Sequence, residues 1–159
     1  MVEFDRRWGG LALPPALGYD GGPRWFAADE PTRSPDGRWR FDAGDPRSAV
    51  PYSFEIGPDG EFGLGTLGWV PLHTRVEGWI ESLALEYHAS SLAKRVAVAA
   101  EIDLTGFEPI PEVHGMANNW WRGDDQLVAV HSTISGASFV RIYDGVPDVG
   151  LLSPRAIRS

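Results

Sequence analysis

The chain has 159 residues and a mass of 17.4 kDa, a length that predicts one domain over residues 1–159 with a core of its own. The absence of cysteine excludes disulfide scaffolds, thiolate metal sites and thiol nucleophiles, and it is typical of a reducing compartment. A formal net charge of −8 argues against nucleic acid or an anionic membrane as a partner and favours a basic protein. With no membrane-length apolar run and no signal-peptide pattern, we expect a cytoplasmic location.

Turn-forming sequences divide the first third of the chain into short aromatic and β-branched runs. These runs predict strands at Trp25–Ala28, Arg38–Phe41 and Val50–Ile56. The clearest hairpin covers Tyr52–Leu64, because apolar and polar residues alternate on both sides of the turn sequence Pro58-Asp59-Gly60.

The hydrophobic period then changes from two residues to that of a helix. Thr74 and Glu77 have the spacing of a capping box, which predicts a helix from about Arg75 to about His88. Its expected buried stripe consists of Val76, Ile80, Leu83 and Tyr87. Because the chain lacks Gly and Pro from Trp79 to Glu101, we expect residues 92–100 to continue this helix or to form a second one.

The last third is predicted to return to strands after a proline-rich connector over Leu104–Gly115. Residues 116–121 could form a helical turn or a strand, and Leu127–Thr133 with Ser138–Tyr143 predicts a second hairpin. The segment 146–159 has little periodicity, so we expect a mobile tail. This order of elements predicts an α+β fold in which a mainly antiparallel sheet, built from hairpins, packs against one long helix.

The sequence offers little catalytic chemistry. Its four histidines lack the i, i+4 spacing of a metal-binding pair, and we expect neither a metal site nor a cofactor. The string Gly63-x-Gly65-x-x-Gly68 is followed by Trp69-Val70-Pro71 where a phosphate-binding loop requires a helix, so we interpret it as a glycine-rich turn. An enzyme remains the alternative, as a small hydrolase that uses His73, His131 and Asp144 on the sheet.

Aromatic and acidic residues favour a protein-binding surface instead. Residues 76–125 contain nine acidic and three basic residues, a net charge of −6 that can steer a basic partner. The first candidate surface contains Trp120, Trp121, Asp124 and Asp125, in which one tryptophan of the pair would point outward as an anchor. Glu77 and Glu81 form a second acidic candidate, and coverage of both tryptophans by the fold is the alternative.

Several segments resemble the SUKH superfamily, which includes fungal cell-wall-synthesis regulators and many bacterial immunity proteins. The resemblance covers about residues 11–89. It rests on the run Leu13–Gly22, the hairpin Phe54–Leu64, and Gly68–His73 leading into Val76–Leu83. It implies a SUKH-like domain that acts without catalysis as an immunity-type protein. Such a protein binds and neutralises a cognate toxin, often a basic nuclease. The oligomeric state stays open.

Overall fold

The computed structural model describes residues 6–7, 31–41, 52–65, 68–116, 118–132 and 138–146. Within these residues ten strands form two five-stranded antiparallel sheets, and one long helix packs against both. The predicted α+β class is therefore confirmed. The predicted strand at Trp25–Ala28, the run Leu13–Gly22 and the tail from residue 147 lie outside the described residues.

The first sheet is a meander in which each strand pairs with the next along the chain. Its strands are β1 (Thr32–Arg33), β2 (Trp39–Phe41), β3 (Ser53–Ile56), β4 (Phe62–Gly65) and β5 (Trp69–His73). The predicted hairpin is the β3–β4 pair, in which Phe54 lies opposite Leu64. Gly60 in its turn has a φ of 87°, a conformation that glycine adopts without steric cost.

The helix α1 extends from Val76 to Leu92 and confirms the predicted element, but its N-terminus differs from the prediction. Its N-cap is Arg75, in an extended conformation and with no side-chain capping hydrogen bond. Thr74 is exposed and lies outside the helix, so the prediction that Thr74 and Glu77 form a capping box is wrong. The helix begins one residue later than the box requires, which places Glu77 at the second helical position instead of the third.

Opposite sides of α1 serve different cores. The first core joins Val76, Trp79, Ile80 and Leu83 to three phenylalanines of the first sheet, which are Phe41, Phe54 and Phe62. The second core joins Leu85 and Ala89 to residues of the second sheet and its neighbouring segments, which are Val113, Trp120, Leu127, Ala129, Tyr143 and Val146. The predicted stripe is buried as far as Leu83, whereas Tyr87 is only half-buried.

The second sheet begins where a helix was expected. Its strands are β6 (Arg95–Ala99), β7 (Glu108–Pro109), β8 (Asn118–Arg122), β9 (Gln126–Ser132) and β10 (Ser138–Asp144) in the spatial order β6-β10-β9-β8-β7. The expectation of helix over residues 92–100 is wrong beyond Leu92, because all five residues of β6 pair with β10. The predicted hairpin of residues 127–143 is the β9–β10 pair, and residues 118–121 of the segment 116–121 belong to β8.

Strand alternation gives the second sheet two distinct faces. Trp120, Ala129 and Tyr143 lie on the face toward α1, whereas Trp121, Val128 and Ile142 lie on the opposite face. We call this the outer face, although Val128 on it is fully buried. Between β7 and β8, the 3₁₀ helix Pro111–Val113 lies against α1, with Val113 fully buried. This segment brings the proline-rich connector to the first half of α1.

Candidate functional site

The two adjacent tryptophans of the predicted binding surface have different environments. Trp120 is 1 % exposed, and its indole Nε1 donates a hydrogen bond of 3.1 Å to the Ser82 hydroxyl of α1. Its ring also stacks on Tyr143. Trp121 is half-buried on the outer face. Trp120 is thus a core residue that a partner cannot reach in this conformation, which leaves Trp121 as the accessible member of the pair.

The acidic residues near this pair occupy the turn between β8 and β9. Asp124 and Asp125 are both exposed. The Asp125 carbonyl accepts hydrogen bonds from the amides of Gly145 and Val146, at 2.8 and 3.1 Å. These backbone bonds tie the turn to the segment after β10, while both carboxylates remain at the surface.

Glu77 and Glu81 lie on the first half of α1, where the structure adds a third carboxylate, Glu112 of the 3₁₀ helix. Burial is the largest effect that raises the pKa of Glu81, and the negative charges of Glu77 and Glu112 raise it further. Arg7 acts in the opposite direction, and its Nη1 lies 2.8 Å from Oε1 of Glu77. We call Glu77, Glu81 and Glu112 the α1 acidic cluster.

The segment that follows Glu112 presents an exposed apolar side chain. Met116 is 68 % exposed, although its amide donates a hydrogen bond of 2.8 Å to the Leu72 carbonyl of β5. Gly115 forms a β-bridge with His73 at the end of the same strand. Residues 112–116 therefore run along the start of α1 and the end of β5. These backbone contacts hold the segment around Met116 at the end of β5, four residues after Glu112.

A buried polar cluster that the sequence analysis did not predict lies between α1 and the second sheet. We call it the Glu86 cluster; it consists of Glu86, His131, Arg141 and Tyr143. Glu86 is 2 % exposed, and it accepts hydrogen bonds from the Tyr143 hydroxyl and from Arg141 Nη1, the latter at 2.8 Å. His131 Nε2 lies 3.7 Å from Glu86 Oε2, too far for a hydrogen bond.

Burial dominates the electrostatics of the Glu86 cluster. It raises the pKa of Glu86, although the hydrogen bonds from Tyr143 and Arg141 act against this effect. It lowers the pKa of His131 to about 4, and the positive charge of Arg141 lowers it further. Burial and the neighbouring carboxylate raise the pKa of Tyr143, so its hydroxyl stays a neutral donor. At neutral pH the His131 ring is therefore uncharged.

The first sheet holds a second buried carboxylate, Glu55, whose surroundings explain part of the glycine string. Arg40 Nε and the Ser53 hydroxyl donate to Glu55 Oε1, at 3.0 and 3.1 Å, and Arg38 lies 3.8 Å from Oε2. A Cβ at Gly65 would lie 2.1 Å from Glu55 Oε1, so only glycine leaves room for this carboxylate. Gly63 and Gly65 both lie within β4, so the interpretation of the whole string as a turn is wrong for these two glycines. A Cβ at Gly63 would likewise be only 2.3 Å from the Val70 carbonyl oxygen.

Two of the three residues of the hydrolase alternative, His131 and Asp144, lie on opposite faces of the second sheet. His73 is buried at the end of the first sheet, where burial lowers its pKa to about 4. His131 faces α1 from the second sheet. Asp144 lies on the outer face of that sheet, where it binds Arg95 Nε at 2.6 Å. The strand register thus directs His131 and Asp144 to opposite sides, and no group of three His, Asp or Glu residues among the described residues could hold a metal ion.

Sequence reasoning missed the Glu86 cluster because its members are far apart in the chain. Arg141 and Tyr143 lie 55 and 57 residues from Glu86. A glutamate within a helix is typical of a solvated face, whereas Glu86 is 2 % exposed. The available signal was the alternation of Phe139, Arg141 and Tyr143, which places all three on one face of β10.

The fold is that of an α+β protein with two antiparallel sheets and one shared helix. No family model matches the chain, and neither a curated protein nor a solved structure does. The resemblance to the SUKH superfamily therefore stays a prediction. Across the part of the chain that the structure describes, α1 and every other helix is too short or too polar to cross a membrane.

Proposed function

We propose that this protein is a non-enzymatic binding module that recognises a basic protein through its acidic surface, in the manner of an immunity protein that neutralises a cognate toxin. The α1 acidic cluster carries the proposal. Burial raises the pKa of Glu81, and repulsion from Glu77 and Glu112 raises it further; this repulsion is an electrostatic cost in the free protein. A lysine or arginine of a partner would relieve this repulsion on binding.

The neighbourhood of the cluster has the composition of an interface. Met116, four residues after Glu112, adds an exposed apolar side chain on the same segment, and methionine is enriched in protein interfaces. Asp124, Asp125 and the half-buried Trp121 form a second acidic surface with an aromatic residue. The hydrolase alternative has less support, because His131 and Asp144 lie on opposite faces of the second sheet.

The test uses candidate partners, which are the basic proteins encoded by genes that neighbour this one. Association rates are measured at low and physiological salt for the native chain and for Glu81→Lys/Glu112→Lys. We expect the association rate of the variant to be lower by about tenfold or more. We also expect the association rate of the native chain to fall as the salt concentration rises. The matched control is Glu101→Lys/Asp103→Lys, which makes the same change in net charge at two exposed acids outside the cluster.

Two outcomes would contradict the proposal. If both variants slow association equally, total charge matters and the α1 acidic cluster is not the recognition surface. If co-expression of the native chain leaves the toxin active, neutralisation is wrong whatever the binding rates are. The double variant Asp124→Lys/Asp125→Lys, measured in the same way, shows how much the second acidic surface contributes to the association rate.

A further inference from the structure

Among the described residues, the two sheets have four edge strands, and three of them are poorly suited to pairing. β1 and β7 contain only two residues each, and Pro109 of β7 has no backbone N–H to donate. β5 is longer but carries Pro71 at its centre. Short edges and prolines are the common means by which proteins prevent their sheets from pairing with other chains.

The fourth edge, β6, has neither protection. It contains five residues, Arg95–Ala99, without proline, and among the described strands it pairs with β10 alone. Val98 is 67 % exposed and Val96 43 %, and their pairing with Arg141 and Tyr143 places both on the face toward α1. Leu92, at the end of α1, is a third exposed apolar residue close by in the chain. Among the described residues, this edge thus combines backbone that pairs with no further strand and alternating exposed valines.

We propose that β6 pairs with β6 of a second copy of this chain, antiparallel about Ala97, and so joins two second sheets into one continuous sheet. In this register Val96 lies opposite Val98 of the partner subunit, and Val98 lies opposite Val96 of the partner subunit. All four valines then lie on one face, where they exclude water from one another. The proposal does not depend on the proposed function.

The position of the charged residue favours a second copy as the occupant. Arg95, at the start of β6, is the strand's single charged residue. In the proposed register it lies opposite Ala99 of the partner subunit, so the two arginines are at opposite ends of the paired strands. A two-fold pairing of this kind is closed, because it covers both β6 edges and leaves neither free for a third copy.

A disulfide cross-link tests the register, because the native chain contains no cysteine. Ala97 is the one position that meets itself across the axis, with Cα atoms about 4.5–5.5 Å apart, within the range that a disulfide can bridge. We expect Ala97→Cys to give a covalent dimer under mild oxidation. Val98→Cys should not, because its partner lies about two residues further along, beyond about 7 Å. Met116→Cys, at a similarly exposed side chain, measures random collision.

Light scattering of unmodified chains provides the second measurement. We expect the native protein to dimerise with rising concentration and Val98→Lys to stay monomeric, whereas Met116→Lys behaves as the native chain does. A native protein that is still monomeric at about 100 μM would overturn the proposal, because this concentration is well above the dissociation constant of a specific dimer. It would also be overturned by a dimer that survives Val98→Lys, or by a Val98→Cys variant that cross-links more than the Ala97→Cys variant does.

Discussion

The two cores of this protein use the same helix but are held together by different physical interactions. The first core is apolar and aromatic: Phe62 stacks on Trp79 with ring centroids 3.9 Å apart, and Phe54 packs beside both. The second core surrounds the Glu86 cluster and the hydrogen bond from Trp120 to Ser82. One side of α1 is thus fixed by non-directional burial, and the other by hydrogen bonds with defined donors and acceptors.

This difference determines how each region should respond to mutation and pH. In an apolar core, a truncated side chain lowers the free energy of unfolding in proportion to the volume removed, and this loss does not depend on protonation. A buried charge depends on every partner, because removal of one partner leaves the charge desolvated and unpaired. The second core should therefore be the region more sensitive to a single polar substitution, and its stability should depend on pH.

The largest effect is expected from Arg141→Met, which removes a cation from Glu86. The substitution leaves the buried Glu86 carboxylate without this counterion. The free energy of unfolding should therefore fall by about 3–5 kcal/mol in denaturant titrations at neutral pH. The loss should shrink as the pH falls and Glu86 takes up a proton, because a neutral carboxyl group needs no counterion. Arg122→Met is the matched control at the exposed pair with Glu108, where a loss below about 1 kcal/mol is expected.

In the first core, Leu83→Ala should cost about 2–5 kcal/mol, because Leu83 is buried and the cavity would be lined by rigid aromatic rings. No member of the first core titrates, so this loss should be the same at pH 5 and pH 7. A loss below about 1 kcal/mol, or one that changes with pH, would show that the two cores do not differ as described.

His131 should make the second core less stable in acid. Its pKa in the folded state is about 4, below the ordinary value of 6.5, so between these values the unfolded chain binds more protons. Stability should therefore fall as the pH drops from about 6.5 to 4, by on the order of 3 kcal/mol from this residue. The raised pKa of Glu86 acts in the opposite direction above its ordinary value of 4.5. His131→Phe should make the profile less steep, and His73, whose pKa burial also lowers to about 4, accounts for a further part of the fall. A ring titration by NMR with a midpoint near 6.5 would contradict the assignment.

The smallest effect concerns the start of the shared helix. Thr74 is exposed and lies outside the N-cap position, so Thr74→Ala should change the free energy of unfolding by less than about 0.5 kcal/mol. A loss near 1 kcal/mol, typical of a removed N-cap, would restore the capping box and move the start of α1 to Thr74.

Local patterns predicted the elements whose structure depends on near neighbours. The helix over residues 75–88 and the hairpin at Tyr52–Leu64 follow from periodicity and turn chemistry within one segment. β6 was missed because the absence of Gly and Pro and the abundance of alanine favour a helix. Its Val-Ala-Val-Ala alternation was the better signal, and pairing with β10 decides the outcome.

In the candidate site, too, some residues could be identified from the sequence and others required the structure. The exposed carboxylates at Asp124 and Asp125 and the partly exposed one at Glu77 could be proposed from composition, because surface charge is the ordinary state of such residues. The third member of the α1 acidic cluster, Glu112, required the three-dimensional structure, since the 3₁₀ helix brings it to α1 from 31 residues beyond Glu81. The burial of Trp120 likewise depends on α1 as its cover, which a strand pattern alone does not reveal.

Because α1 serves both sheets, the chain cannot be divided at any point into two self-sufficient halves. A fragment that ends before Val76 would leave Phe54 and Phe62 facing water, and one that begins after Leu92 would do the same to Trp120 and Tyr143. A split-reporter pair made from this protein would have to carry α1 in both fragments. Each copy would then expose the side that belongs to the other sheet, and that exposed side would itself promote reassembly.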